Sequence, residues 1–294
     1  MTTILKREDR EALDLNGFVI LPKTIQGNVL SDAQAAAQRM IHKVEKGEYW
    51  LFRIYDDLLK LNIAGIERLF HPEIFQYDLF RAVVSSHVLE IAKEILETES
   101  PSMLLNRMHV TTKYSHTGIW HRDATPGDED HIQVSLYLYP EDRFFIVPMS
   151  HRRKDTDEEK VLLGKSVKAD LPGQIKVSVG AGDLLFFRSA LLHRASCVGT
   201  RANVHFRFGK EPANTDTRCG YQWNIASPAW KTLLEDPATN CDFYPEDHPP
   251  KRLWFPKRVI ATVLHYALAH LPESHRIFER FRWITPNLRL RRNQ

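Results

Sequence analysis

The middle of the chain carries hydrophobic and polar residues in the period of two that side chains have along a β-strand. Residues 132–139 show this period most plainly, since every second residue is Ile, Val or Leu. Further short β-rich runs, one of them after a Gly-Ala-Gly-Asp turn, lie at residues 175–179, 184–187 and 201–208. Many short strands separated by turns are typical of a sandwich or jelly roll. We therefore predict a β-rich core at about residues 100–209.

Helical patterning flanks this core on both sides. Apolar residues recur at helical spacing over residues 31–46, and a second helix is predicted over residues 86–97. The apolar run at residues 17–22 ends in proline and predicts a short strand within this otherwise helical region. Residues 259–271 again have apolar positions at helical spacing. The expected fold class is thus mostly β, with helices at the N- and C-terminal ends.

Composition narrows the protein class without naming a function. The 294 residues are 43% hydrophobic and 26% charged, which is typical of a globular protein. No apolar run approaches the roughly 18 residues of a membrane helix, and the charged first ten residues do not resemble a secretory signal. The three cysteines are far apart and form no CxxC pair, so neither a zinc knuckle nor a disulfide framework is indicated. We expect a reducing, cytoplasmic location.

The charge is distributed unevenly along the chain. Residues 251–294 contain ten Lys and Arg against two Asp and Glu, whereas the remainder is mildly acidic. Arginines mixed with Trp and Phe beside an amphipathic helix suit an anionic membrane surface, which would make the protein peripheral on the inner membrane. The alternative is that the apolar stripe packs on the core and the arginines are solvated. Nucleic acid is not an expected partner, because no aromatic base-stacking motif accompanies the basic end.

One pair of residues suggests a metal site. His121 and Asp123 are two positions apart at the end of a β-rich run, so in extended chain both side chains point to the same side. His193, which follows a later strand, is the best candidate for a third ligand. Two imidazoles and one carboxylate on one face of an octahedron leave three positions open, which suits iron(II) and its co-substrates.

Four motifs in this region together resemble the phytanoyl-CoA dioxygenase-like branch of the iron/2-oxoglutarate oxygenases. They are WHRD at 120–123, IVPMSHR at 146–152, GDLLFF at 182–187 and LHRA at 192–195. The opening strand at 17–22 is similar too, and the resemblance covers roughly residues 13–209. One departure is Met149, where many relatives have glycine. The resemblance implies a double-stranded β-helix, of jelly-roll or cupin-like form, that uses Fe(II), 2-oxoglutarate and O2. We expect residues 1–215 to form the oxygenase domain and residues 216–294 a C-terminal extension.

The resemblance also implies further site residues. In this family a basic residue on a late strand binds the distal carboxylate of 2-oxoglutarate. Arg201 occupies that place, and Arg207, on the same strand face, is the alternative candidate. Gln133 is expected either to touch the co-substrate or to satisfy polar groups inside the barrel. Candidate substrate-facing residues are His109, Arg143, His205 and Arg207.

The expected reaction is hydroxylation of an unactivated C–H bond with release of succinate and CO2. Halogenating relatives leave the carboxylate position small, so Asp123 argues for hydroxylation, although desaturation or ring formation stays open. The layout with a basic tail is similar to bacterial hydroxylases of the lipopolysaccharide sugar Kdo, which suggests an anionic lipid-linked sugar as substrate. The alternatives are a hydroxylase of a soluble metabolite, a non-catalytic β-barrel binding module, and a zinc hydrolase with the same ligands.

Overall fold

A computed structural model describes residues 4–45, 65–67, 69, 76–99, 101–110, 120–163, 170–195, 201–210 and 223–224. Ten strands and five α-helices lie in these ranges. The helices are α1 (Arg7–Asn16), α2 (Gly27–Glu45), α3 (Tyr77–Ser85), α4 (Val88–Leu96) and α5 (Asp157–Leu162). The strands are β1 (Phe18–Leu21), β2 (Gly65–Glu67), β3 (Ser102–Val110), β4 (His131–Tyr137), β5 (Glu141–Ile146), β6 (Ile175–Val179), β7 (Leu184–Arg188), β8 (His193–Ala195), β9 (Ala202–Gly209) and β10 (Trp223–Asn224).

The strands form two antiparallel sheets. The larger has seven strands in the order β1-β7-β4-β9-β3-β10, with β2 also paired to β3, and the smaller has three in the order β6-β5-β8. Neighbours along the large sheet are far apart in sequence, since β4 pairs with both β7 and β9. This arrangement is the jelly-roll core of the double-stranded β-helix, as the sequence predicted.

The two faces of the large sheet are both buried, each against a different partner. The even-numbered residues of β4 and β9, such as Val134 and Phe206, belong to the main hydrophobic core together with residues of α2, α3 and α4. A second apolar cluster joins Phe187 of the large sheet to Phe144 and Ile146 of the small one. The opposite face of β4 and β9 therefore looks towards the space between the sheets.

This double burial explains the sequence of β4 and β9. Because side chains alternate along a strand, the odd-numbered residues of β9 share one face, and that face carries Asn203, His205 and Arg207, all buried. Polar residues are ordinary on a strand face that is exposed to solvent. Here they line the interior of the barrel, which is where the chemistry of the fold is concentrated.

Most predicted elements are confirmed, with shifted boundaries. The strand predicted over 17–22 is β1, and the run at 175–179 is β6. The helix predicted over 86–97 corresponds to α4, but a separate helix, α3, precedes it and ends at Ser85, and the left-handed His87 lies directly before α4. Both the helix predicted over 259–271 and the basic tail at 251–294 lie outside the described residues.

Among the described helices, none combines the length and the apolar character needed to cross a membrane.

Candidate metal centre

His121, Asp123 and His193 come together at one point between the two sheets. One ligand atom from each lies within 4.8 Å of the other two. The Oδ2 atom of Asp123 is 3.8 Å from Nε2 of His121 and 3.5 Å from Nε2 of His193. Metal–ligand bonds of about 2.1 Å place neighbouring donors of an octahedron about 3 Å apart. Only small side-chain shifts therefore separate this cluster from a facial triad.

Backbone pairing brings two of these residues together across 72 positions of sequence. The N–H of His121 donates to the carbonyl of His193 at 3.1 Å, and the N–H of His193 donates back at 3.1 Å. The backbone N–H of Asp123 likewise donates to the carbonyl of Ser189 at 2.9 Å. The sequence suggested that the WHRD segment continues an extended β-rich run. In the structure it instead forms a single β-bridge to the start of β8.

The protonation of His193 suits metal binding. Its Nδ1 lies 2.9 Å from the carbonyl of Leu191, which can only accept, so Nδ1 carries the proton. The Nε2 lone pair then points at Asp123. Burial, followed by the neighbouring His121, lowers the pKa of His193 to about 4, which keeps the ring neutral at physiological pH. A neutral imidazole with a free lone pair is the form that binds metals.

Asp123 is held as a carboxylate. Burial by itself favours the protonated acid, but the electrostatic influence of His121 and His193, a hydrogen bond from Gln133 and the charge of Arg207 together bring the pKa of Asp123 well below its usual range. Gln133 Nε2 donates to Oδ2 at 2.7 Å, and Arg207 donates to the backbone carbonyl of Asp123 at 3.2 Å. The donor set is thus two imidazoles and one carboxylate, which fits Fe(II).

Arg122 fixes the segment that carries His121 and Asp123. Its buried guanidinium donates to the carboxylate of Asp155 and to the backbone carbonyls of Ser150 and Ala190. These contacts tie the WHRD motif to the IVPMSHR motif and to the turn before His193. Arg122 therefore holds three segments of the chain together beside the metal cluster.

Arg201 lies at the opposite end of the β9 face from Arg207. It is buried, and its Nε donates to the carboxylate of Glu141 at 2.9 Å. Arg207 instead donates to the backbone carbonyl of Asp123, so the two arginines lie at different ends of the barrel interior. Gln133, expected to touch the co-substrate or to satisfy the barrel interior, contacts the candidate ligand Asp123 directly.

The candidate substrate residues divide into two groups. His109 and His205 face the interior with ring centroids 4.7 Å apart, and burial first, then Arg107, lowers the pKa of both. Arg143 lies on the half-exposed side of β5, next to Asp142, whereas its neighbour Phe144 packs on His193. The register of β5 shifts between Glu141 and Phe144, and the charge of Arg143 reaches Glu141, so Arg143 is associated with that end of the site.

Arg107 and Glu141 are site residues that sequence reasoning missed. Arg107, on β3, pairs in register with His205, and its charge reaches His109 and His193. Its position two residues before His109, on the same face of a strand, was the only sequence signal. Glu141 gave no signal, because its partner Arg201 lies 60 residues away.

Comparison with known proteins defines the class of this protein. The sequence matches the family of phytanoyl-CoA dioxygenase (PhyH) over residues 13–202. The fold, the His-Asp-His cluster and this match define an Fe(II)- and 2-oxoglutarate-dependent oxygenase. The chain belongs to the phytanoyl-CoA dioxygenase family. A comparison with curated proteins found no match.

Solved structures share the fold at low sequence identity. AviO1 from Streptomyces viridochromogenes Tue57 is 19% identical with a TM-score of 0.52, over 72% of this chain and 98% of AviO1. HygX from Streptomyces hygroscopicus, with nickel and 2-oxoglutarate bound, is 16% identical with a TM-score of 0.54, over 71% and 89%. EctD from S. alaskensis, with 2-oxoglutarate and 5-hydroxyectoine, is 15% identical with a TM-score of 0.52, over 69% and 76%. At these identities the likeness establishes the fold.

Proposed function

We propose that the protein hydroxylates an unactivated C–H bond of a small anionic molecule, with an acidic sugar such as Kdo as the leading candidate. His121, Asp123 and His193 hold the iron, and Arg201 binds the distal carboxylate of 2-oxoglutarate. The observation that carries the substrate class is the basic end of the chain, residues 251–294, with ten Lys and Arg against two Asp and Glu. The observation that carries the metal assignment is the convergence of the three ligand atoms within 4.8 Å.

The co-substrate assignment rests on position along β9. In 2-oxoglutarate two methylene groups separate the distal carboxylate from the keto-acid end that chelates a metal. Arg207 contacts the backbone of Asp123 and therefore lies too close to the metal cluster for the distal carboxylate. Arg201 lies further along the same face and already holds a carboxylate, that of Glu141. A buried guanidinium is well suited to a second carboxylate, because its fork binds both oxygens.

The charge of the chain's basic end favours an anionic substrate. Residues 251–294 contain ten Lys and Arg against two Asp and Glu, and a segment of this charge attracts anionic partners.

Bound Fe(II) and 2-oxoglutarate would supply an oxidation by O2. One oxygen atom would be incorporated into succinate with release of CO2, and the other would be inserted into a C–H bond of the substrate. The chain's own residues bind, orient and exclude water. Phe144 and Phe187 pack their rings 5.6 and 5.1 Å from that of His193, which shields the buried side of the cluster. His121 is the more exposed imidazole, and it marks the side from which a substrate approaches.

A small-molecule substrate agrees with one structural neighbour, since HygX has been solved with hygromycin B bound. If the substrate is lipid-linked, the basic residues 251–294 would hold the protein at an anionic membrane surface. The second candidate is a free, soluble acid of the same charge, which needs no membrane contact.

Succinate release during aerobic turnover tests this proposal. The protein, Fe(II) and 2-oxoglutarate are incubated with free Kdo, with a lipid-linked Kdo acceptor in anionic vesicles, and with a neutral sugar of similar size. We expect an acidic substrate to raise succinate release and to gain one oxygen atom by mass spectrometry. Stimulation by the free acid supports the soluble candidate, and stimulation only by the vesicle form supports the lipid-linked one. Equal stimulation by the neutral sugar would contradict the anionic substrate class.

A further inference from the structure

We propose that Gln133, held in place by His205 and Ser135, is a positioning residue that makes the Asp123 carboxylate bind the metal through a single oxygen. This inference rests on the proposed role of Asp123 as a ligand. It adds a second set of residues, on β4 and β9, whose function is to orient that ligand.

The three side chains form a continuous row of hydrogen bonds. Gln133 Nε2 donates to Oδ2 of Asp123 at 2.7 Å, and Gln133 Oε1 lies 2.9 Å from Nε2 of His205. Nδ1 of His205 lies 2.9 Å from the hydroxyl of Ser135. Gln133, Ser135 and His205 are each at most 4% exposed. A buried polar group that loses its hydrogen-bond partner costs free energy, so these three side chains are held in one arrangement.

The carboxylate at one end of the row determines the direction of every hydrogen bond in it. The Asp123 carboxylate only accepts, so the amide nitrogen of Gln133 faces it and the amide oxygen faces His205. That oxygen also only accepts, so Nε2 of His205 carries the proton. Nδ1 of the neutral ring is then an acceptor, and the Ser135 hydroxyl donates to it. A single tautomer of His205 satisfies the row.

The row continues towards the proposed co-substrate end. The hydroxyl of Tyr137 interacts with the side chains of Ser135 and Arg201. Burial, then the charge of Glu141, raises the pKa of Tyr137, so the phenol keeps its proton. Residues 133, 135 and 137 share one face of β4 because side chains alternate along the strand. These residues on one face of β4 thus connect the neighbourhood of Arg201 with Asp123.

The consequence for the metal follows from how a carboxylate rotates. A free aspartate can turn about its last bond and chelate a metal with both oxygens. Chelation occupies one of the three open positions of a facial triad, and 2-oxoglutarate and O2 need all three. Gln133 holds Oδ2, the oxygen nearest both imidazoles, and prevents this rotation. Partners of metal ligands commonly tune affinity in this way.

Cobalt(II) binding to the full-length protein under anaerobic conditions tests the proposal without any substrate. We expect Gln133→Met and His205→Phe to weaken Co(II) binding by about 10- to 100-fold and to change the visible d–d spectrum, which reports coordination number. His205→Gln, whose amide can still donate to Gln133, should restore most of the wild-type spectrum. Gln34→Met is the matched control, because Gln34 lies on α2 and its amide donates to the backbone carbonyl of Leu138.

Wild-type Co(II) affinity and an unchanged spectrum in a folded Gln133→Met protein would overturn the positioning role. Equal loss in His205→Phe and His205→Gln would also overturn it, since the donated hydrogen would then be irrelevant. Asp123→Ala separates this failure from failure of the ligand assignment. If Asp123→Ala binds Co(II) as the wild type does, the ligand set itself is wrong; if it loses binding while Gln133→Met does not, only the positioning role fails.

Discussion

The guanidinium of Arg201 donates from Nε to the carboxylate of Glu141 across 2.9 Å, with both side chains buried. The residue proposed to bind the distal carboxylate of 2-oxoglutarate therefore already has a carboxylate partner supplied by the protein. Burial dominates the ionisation of Glu141 and raises its pKa, although Arg201 favours the charged form. A negative Glu141 orients Arg201, but it also repels an incoming dianion.

The first prediction concerns this ion pair. Replacing Arg201 with Lys removes the planar fork, and the loss of a charge-assisted hydrogen bond of about 1.5–3 kcal/mol should weaken 2-oxoglutarate binding at least about tenfold. Glu141→Gln keeps the shape and a hydrogen-bond acceptor but removes the repulsion, so binding should tighten. Calorimetric titration with 2-oxoglutarate checks both variants. Weaker binding in Glu141→Gln would show that Glu141 assists the co-substrate instead of opposing it.

The second prediction concerns Arg122, between the two ligands of the WHRD motif. Arg122→Ala leaves Asp155 and two backbone carbonyls without this donor, which should cost about 3 kcal/mol or more of unfolding free energy. Metal affinity should fall as well, because the segment carrying His121 and Asp123 loses its anchor. Urea unfolding measures the first effect. Arg152→Ala, at an exposed arginine of the same region, is the control and should change neither quantity.

The third prediction compares two glycines with the same backbone angle. Gly127 and Gly182 both have φ of +86°, a region that side chains disfavour. A Cβ at Gly127 would meet nothing within 4 Å, whereas a Cβ at Gly182 would lie 2.1 Å from the backbone oxygen of Ile25. Gly127→Ala should cost about 1–2 kcal/mol, and Gly182→Ala considerably more. Similar thermal midpoints for the two variants would refute the close approach of Gly182 to Ile25.

The fourth prediction is a pH dependence of stability. Both guanidinium nitrogens of Arg153 donate to Glu159, at 2.7 and 2.6 Å, and lower the pKa of Glu159. A carboxyl whose folded pKa is depressed stabilises the fold above its unfolded pKa, about 4.3, and this contribution is lost as pH falls. Glu159→Gln should therefore be less stable than wild type at pH 7, with the difference shrinking towards pH 3. Glu158→Gln, at the exposed neighbouring position, should show no such convergence.

The sequence predicted the parts of this fold that depend on local patterns. The alternation over residues 132–139 and 201–208 identified β4 and β9, and alternation on each strand placed Gln133 and Arg207 on interior faces. His121, Asp123 and His193 were identified as a cluster because their motifs carry a family's spacing, and the structure brings them together.

The parts that escaped prediction depend on contacts distant in sequence. The ion pair of Glu141 with Arg201 and the row from Ser135 to Asp123 exist only once β4, β5 and β9 are assembled. Met149, the departure from the family's glycine, adopts a φ of +64°, so the turn keeps the conformation that a glycine would favour. The sequence showed the substitution but not that the backbone conformation survives it.

Anaerobic titration of the protein with Fe(II) and 2-oxoglutarate tests the central claim most directly. Chelation of iron by 2-oxoglutarate in an oxygenase of this class gives a weak visible metal-to-ligand charge-transfer band. We predict this band in the wild type, its absence in His193→Ala, and a much higher 2-oxoglutarate requirement in Arg201→Ala. A folded wild type that takes up iron but shows no band, or a His193→Ala variant with an unchanged band, would contradict the proposed metal centre.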